Sequence, residues 1–198
     1  MLLFVAAKIM ASLPKDEYLS PEEYLAIERK AEVKSEYVDG VMYLMPGAMP
    51  RHNLIVGNLI TELNIRLRTI DCTVYPSDLK VRTPDSRAFF YPDVSVVCGE
   101  IELAEGANDV VLNPVLVVEV LSDSTAAFDR GKKFQLYQQI ESLKEFVLVA
   151  QDEMTVETFL RQAAGKWLYS KTRGEDASVA LASLNFQIPL RDIYRKVL

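Results

Sequence analysis

Glu119 is a carboxylate in the middle of an apolar run. It separates Val115-Leu116-Val117-Val118 from Val120-Leu121, a pattern that fits a central strand buried on both faces. An unpaired charge there is costly, so Glu119 needs a metal ion, a cation or a proton beside it. A buried ion pair with an arginine and a functional site meet that need equally well. Asp93 follows Pro92 and opens a second apolar run, Val94-Ser95-Val96-Val97. Alone, an Asp after Pro is a turn or strand-edge residue. Converging with Glu119 from an adjacent strand, it would make a hard-oxygen site suited to Mg²⁺, which activates water and stabilises charge on a phosphate. Lys133 is the third candidate. On a helix at about 100° per residue it lies only about 40° from the centre of the stripe Phe134, Tyr137 and Ile140, whereas Lys132 lies about 140° away. Lys133 either snorkels along the core or orients an attacking water and steadies a pentavalent phosphate.

The elements that must position these residues are legible from pattern. Ser20-Pro21-Glu22-Glu23 carries a cap, a proline at the first helical position and a capping box, which predicts a helix to about Ala31. Glu36 to Tyr43 reads as a hairpin turning at Asp39-Gly40. Ile55, Val56, Leu59, Leu63 and Leu67 form one stripe of a helix over roughly Arg51 to Thr69, with His52 on that stripe at its start. Strands follow over Thr73 to Arg82, interrupted near Pro76-Ser77-Asp78, and over Phe89 to Cys98. Gly99 to Pro114 reads as a polar surface loop. After the Glu119 strand come a helix from about Ala127 to Ile140, strands at Phe146 to Val149 and Thr155 to Arg161, an edge strand at Trp167 to Ser170 and a final helical turn at Leu190 to Tyr194. The order predicts an α/β sheet layered with helices.

Composition narrows the setting. The chain has 198 residues, 49% hydrophobic and 25% charged, which suits one domain with a real core. Its net charge of −6 argues against a module that holds nucleic acid by phosphate neutralisation alone. It argues less against a metal-dependent site, which must be acidic before the metal arrives. A local basic patch from Lys80, Arg82 and Arg87 remains open. Cys72 and Cys98 are far apart and form no CxxC pair, so the expectation is unpaired cysteines in a reducing, cytoplasmic compartment. His52 is the one histidine, which excludes a site built from two imidazoles of this chain. Residues 1–17 read as an N-terminal arm, too short and wrongly charged for a signal peptide or a membrane span. The apolar stretch Leu2 to Met10 suits a partner subunit, with a two-fold dimer as the default.

Secondary candidates are weighed the same way. Glu36 and His52 could approach the Asp93–Glu119 pocket, although a histidine on an apolar stripe is more often a packing residue. Asp78 supplies another carboxylate or ends strand pairing. Asp129 and Arg130 could pair at a helix start, where Asp suits the dipole. Ser122 and Ser124 read as caps, because no second His or other base accompanies them.

Pro92-Asp93 followed by Glu119 in Val-Val-Glu-Val-Leu-Ser resembles the PD-(D/E)XK nuclease superfamily. Ser35 to Gly40, Pro50-Arg51-His52-Asn53, Tyr75-Pro76-Ser77-Asp78, Tyr91 to Val96, Asn113-Pro114, Val118 to Ser122 and Phe128 to Phe134 resemble the Uma-two family of restriction-endonuclease relatives, over about residues 18 to 196. The resemblance implies a restriction-endonuclease-like fold over residues 18–198, with a mixed central β-sheet flanked by helices. It further implies Mg²⁺ (with Mn²⁺ possible) on Asp93 and Glu119, DNA as substrate, and phosphodiester hydrolysis. The chain departs from the superfamily pattern at the E-x-K lysine, where Leu121 stands. Lys133, on the following helix, is the substitute that the resemblance suggests.

Overall fold

The computed structural model describes residues 18–45, 47–122 and 125–197. The arm expected over residues 1–17, its apolar stretch and Ser124 lie outside them. Helix α1 (Pro21–Glu28) starts as its sequence demands. The Ser20 hydroxyl accepts from the Glu23 N–H, and the Glu23 carboxylate accepts from the Ser20 N–H. Strands β1 (Ser35–Val38) and β2 (Val41–Leu44) form the hairpin. Asp39 and Gly40 both take positive φ, 49° and 94°, as a type I′ turn requires. A Cβ at residue 40 would meet the Tyr18 side chain at 2.9 Å, so glycine is needed there for space as well as for φ.

Helix α2 (Pro50–Leu67) buries Ile55, Leu59, Leu63 and Leu67. The expected strand over residues 73–82 is two strands in two sheets. β3 (Cys72–Pro76) pairs with β6 (Val94–Cys98), whereas β4 (Lys80–Arg82) pairs with β5 (Ala88–Phe90). The expected strand over residues 89–98 is likewise broken between β5 and β6, at Tyr91-Pro92-Asp93. The proline removes a ladder donor, and the chain crosses between sheets there. The polar connection after Gly99 is not entirely loop. It contributes β7 (Val110–Val111), parallel to β4.

The central sheet is mixed. Its order is β11 (Trp167–Arg173), β10 (Thr155–Arg161), β9 (Glu145–Ala150), β8 (Leu116–Leu121), β6, β3, with β8 and β9 parallel and the other pairs antiparallel. The second sheet runs β2-β1-β5-β4-β7. A hairpin of β12 (Ser178–Leu181) and β13 (Phe186–Pro189), absent from the sequence reading, leads into the short helix α5 (Leu190–Ile193). Its Val179, Leu181 and Ile188 join α2 over one face of the central sheet, against Val94, Val96, Leu116, Val118 and Val120. On the opposite face Val97, Val117 and Leu121 meet Val81 and Phe90 of the second sheet and Phe134, Leu136 and Tyr137. The helix expected over residues 127–140 is three pieces. They are α3 (Ala126–Phe128), a π turn (Asp129–Lys133) and α4 (Phe134–Tyr137).

Two expectations are overturned here. Cys72 and Cys98 are joined in a disulfide. They are 26 residues apart in sequence, but the antiparallel β3–β6 register sets them directly opposite each other. The reading of a reducing compartment from unpaired cysteines therefore loses its premise. No helix among the described residues is long and apolar enough to cross a membrane. The basic patch is also not formed. Lys80 is buried between Glu28 at 2.9 Å and Asp109 at 2.7 Å, and Arg87 pairs with Asp39 at 2.8 Å.

The Lys80 cluster holds α1 to the second sheet. Arg29, just beyond the helix, reaches Asp109 at 2.7 Å, and Tyr91 donates to Glu28. Burial alone would raise the Asp109 carboxyl, but the hydrogen bonds and charges of Arg29 and Lys80 outweigh it and hold it at about 2, below the usual 3.8. A depressed acid stabilises the fold above its unfolded value and loses that contribution as pH falls. Asp109→Asn should therefore be less stable than the parent at neutral pH, and the difference should shrink between about pH 3.8 and 2. Urea midpoints across that range would test it; a difference independent of pH would contradict the assignment.

Candidate metal and phosphodiester site

Strand parity explains why the two principal carboxylates meet. Side chains alternate along a strand. Leu116, Val118 and Val120 face α2, so Val117, Glu119 and Leu121 face the second sheet and α4. On the antiparallel neighbour, Val94 and Val96 face α2 and Val97 does not. Asp93, one residue before Val94, has the parity of Glu119. The register Val94↔Val118 places it on the next rung beside Glu119. Asp93 Oδ2 accepts from the Val120 N–H at 2.7 Å, which pins it to β8.

Lys133 lies between sheets. Its Nζ is 2.8 Å from Glu119 Oε1, 2.9 Å from Glu36 Oε1 and 3.7 Å from Asp129 Oδ1. It also stands 5.2 Å from the centre of the Phe90 ring. The partner of Glu119 is thus a lysine, not the arginine considered above. Lys132, next in sequence, faces out and pairs with Asp39 at 2.9 Å. The outward and inward directions of the two lysines follow the helix-phase expectation, although the intervening turn is π and not α. Such bulges recur at functional sites, where they re-aim a side chain. Leu121, at the E-x-K position, is buried in the apolar cluster.

The remaining contacts orient these groups. Tyr137 donates to Glu119 Oε1 at 3.0 Å. Glu36 Oε1 also accepts from the Tyr91 N–H at 3.1 Å. His52 Nε2 lies 3.1 Å from Asp93 Oδ2. An ionised carboxylate only accepts, so the hydrogen in that contact belongs to Nε2. His52 Nδ1 is buried with no partner among the described residues. Asp93 Oδ2 therefore receives two N–H donors from different elements, and no hydrogen bond falls on Oδ1 among the described residues.

The electrostatics are those of an acidic pocket with too little positive charge. Glu36, Glu119 and Asp129 surround one ammonium, and Asp93 adds its charge beside Glu119. Burial pushes Glu119 well above the usual carboxylate range; Lys133 opposes that shift, while Asp129, Asp93 and Glu36 add to it. Burial likewise raises Glu36 and Asp129 against the pull of Lys133. Burial alone would lower Lys133, but Glu119, Glu36 and Asp129 outweigh it and hold the ammonium charged far above its ordinary range. Burial and the nearby Glu119 raise Tyr137, which stays a phenol donor.

Of the sequence candidates, Asp93, Glu119, Lys133, Glu36 and His52 come together. Asp78 does not. Its side chain is 82% exposed and pairs with Lys34 on the surface. The proposed Asp129–Arg130 pair is also corrected: Arg130 pairs with Glu157 at 2.9 Å, and Asp129 turns to Lys133. Asp129 and Tyr137 are members that sequence reasoning missed. Their spacing of four residues on either side of Lys133 was the available signal. Ser122 behaves as a cap, its hydroxyl accepting from the Thr125 N–H at 3.3 Å. No three His, Cys, Asp or Glu side chains among the described residues converge as a complete metal cage.

Comparison with known proteins agrees with this architecture. The Uma2 family, described as "Putative restriction endonuclease", matches residues 21–191. The uncharacterized protein slr1290 of Synechocystis is 35% identical over 191 residues, spanning 96% of this chain and 97% of the relative. A second uncharacterized Synechocystis protein, sll1609, is 34% identical over 161 residues, spanning 81% and 91%. A crystal structure from Anabaena variabilis, titled a putative nuclease belonging to DUF820, superposes with a TM-score of 0.74 at 20% identity, covering 91% of this chain and 99% of that one. The fold is that of restriction endonucleases.

Because Lys133 compensates several buried carboxylates, removing it leaves charge uncompensated. Lys133→Ala should cost about 3–5 kcal/mol in metal-free unfolding. Lys132→Ala removes only a surface pair and should cost under about 1 kcal/mol. Equal urea midpoints for the two variants would show that water already reaches the Lys133 cluster.

Proposed function

The chain belongs to the Uma2 family, and from that premise we propose that it is a metal-dependent endonuclease hydrolysing DNA phosphodiester bonds. The observation that carries this reading is the excess of carboxylate over ammonium in a pocket where Glu119 of β8 and Asp93, just before β6, share one face. Such a pocket takes up protons or cations. Asp93 and Glu119 would hold Mg²⁺, or Mn²⁺ in its place; two carboxylates suit an ion that keeps several waters. When bound, the metal would supply Lewis acidity and an activated water.

The protein groups do the positioning. His52 and the Val120 N–H fix Asp93 through Oδ2, which would leave Oδ1 for the metal. Tyr137 and Lys133 fix Glu119 through Oε1. Lys133, with its charge beside Glu119, would steady negative charge on a phosphate as water oxygen bonds to phosphorus and the P–O ester bond breaks. Glu36 holds that ammonium from the second sheet. A two-fold dimer would offer one such site to each strand of a duplex.

One observation favours a second reading. Lys133 is already held by Glu36, Glu119 and Asp129, and the strand position is Leu121. A relative that retained the fold as a non-catalytic nucleic-acid-binding or regulatory protein would share those features.

Nicking of supercoiled plasmid with Mg²⁺ or Mn²⁺ separates the two. The parent should cut, and Glu119→Gln and Asp93→Asn should abolish cutting and weaken metal binding by calorimetry. Lys133→Met, which keeps the stem, should lower cutting about 10²–10³-fold, as removal of a charge-stabilising donor does, with metal affinity nearly retained. Lys132→Ala should cut like the parent. A parent that binds metal and DNA but leaves plasmid intact under every metal tried would favour the non-catalytic reading. Sedimentation at micromolar concentration tests the dimer.

A further inference from the structure

Lys80 and Arg82 share one side of β4 by strand alternation, yet their surroundings differ. Lys80 is held by Glu28 and Asp109. The Arg82 side chain has no hydrogen bond or ion pair among the described residues, and its Nε is buried. Other partly covered arginines are satisfied. Arg130 pairs with Glu157, Arg66 with Glu62, and Arg161 donates to the carbonyls of Gln138, Ile140 and Leu143. A buried donor without an acceptor costs stability, and the Arg82 guanidinium is committed to no acceptor among the described residues.

Arg82 lines a cleft of about 530 Å³, with Glu102, Leu112, Gln139, Ile140 and Glu141 among its walls. That volume falls within the range of small-molecule sites, about 300–1,000 Å³. Ser142, also on the wall, donates to the Pro114 carbonyl at 2.9 Å, which puts the cleft at the entry of β8. Glu119 lies roughly 16 Å further along the strand, at about 3.3 Å per residue. The cleft is therefore separate from the acidic pocket.

The chemistry of the wall selects the ligand. A guanidinium fork matches the two oxygens of a carboxylate. One cation stands against two exposed carboxylates, Glu102 and Glu141, so a polyanion such as a nucleic-acid backbone is repelled. A carboxylate on Arg82 is matched only when the same molecule carries positive charge or hydrogen-bond donors to offset the two glutamates, as a zwitterion does. Leu112, partly exposed, offers an apolar surface to a small organic body. We propose that this cleft binds a small organic zwitterion, with its carboxylate on Arg82 and its ammonium toward Glu102 and Glu141.

The test is a titration of the parent with acetate, glycine and sulfate at constant ionic strength, followed by ¹H–¹⁵N NMR including the arginine Nε–H region. Acetate and glycine should give saturable shifts confined to Arg82, Gln139, Ser142 and their neighbours, with glycine tighter than acetate and sulfate weaker than both. Arg82→Gln should weaken acetate at least tenfold. Arg82→Lys, which keeps the charge but not the fork, should weaken it at least threefold and decides the matter if the glutamine variant does not fold. Glu119→Gln should leave the titration unchanged whether or not the protein cuts DNA. Absence of saturable shifts, shifts spread over other arginines, sulfate binding more tightly than the carboxylates, or an unchanged affinity in Arg82→Lys would overturn the proposal.

Discussion

The Lys133 ammonium joins the two sheets electrostatically. Glu36 belongs to β1 in the second sheet, Glu119 to β8 in the central sheet, and Lys133 contacts both from the turn that precedes α4. Either carboxylate alone in that environment would be driven to take up a proton. Together they keep the lysine charged, and the lysine tempers the rise in each acid. Such coupling does not add net stability automatically, since desolvation of three ions offsets much of their attraction. Its structural effect is to specify one arrangement of helix and sheets, because any slip strands a buried charge.

Two breaks in extended chain make that arrangement possible. The Ser77-Asp78-Leu79 segment carries the chain from β3 in the central sheet to β4 in the second, and Tyr91-Pro92-Asp93 carries it back from β5 to β6. Asp93 stands at the second crossing. It is outside the ladder of β6, free to be addressed by His52 from the start of α2 and by the Val120 N–H from β8. A proline immediately before it prevents the strand from running through. The same residue types that interrupt regular structure thus hold the carboxylate where three elements meet.

The overall acidity also has a local explanation. Part of the negative charge is concentrated where one lysine cannot neutralise it, and several cations are committed to internal pairs, as Lys80 is to Glu28 and Asp109. The net charge of −6 therefore describes the whole surface poorly. A site that concentrates carboxylates attracts cations before it can approach a phosphate, and this ordering fits an acidic chain better than binding by a basic face would.

Much of this was legible without coordinates. The capping box of α1, the Asp39-Gly40 turn, the apolar stripe of α2 and the anomaly of Glu119 in an apolar strand are local patterns, set by residues a few positions apart. The opposite facing of Lys132 and Lys133 was readable for the same reason, since helical phase depends only on near neighbours. What sequence could not decide was pairing over distance. Cys72 and Cys98 become cross-strand neighbours only through the register of β3 and β6. Residues 73–82 and 89–98 read as two strands, but each divides between sheets because burial on two different faces outweighs local continuity. Asp78 read as a possible site carboxylate and Asp129 as a helix-start partner of Arg130, and the structure reverses the two. One lies on a surface turn beside Lys34 and the other beneath a buried lysine, and only the path of the chain through three dimensions tells them apart.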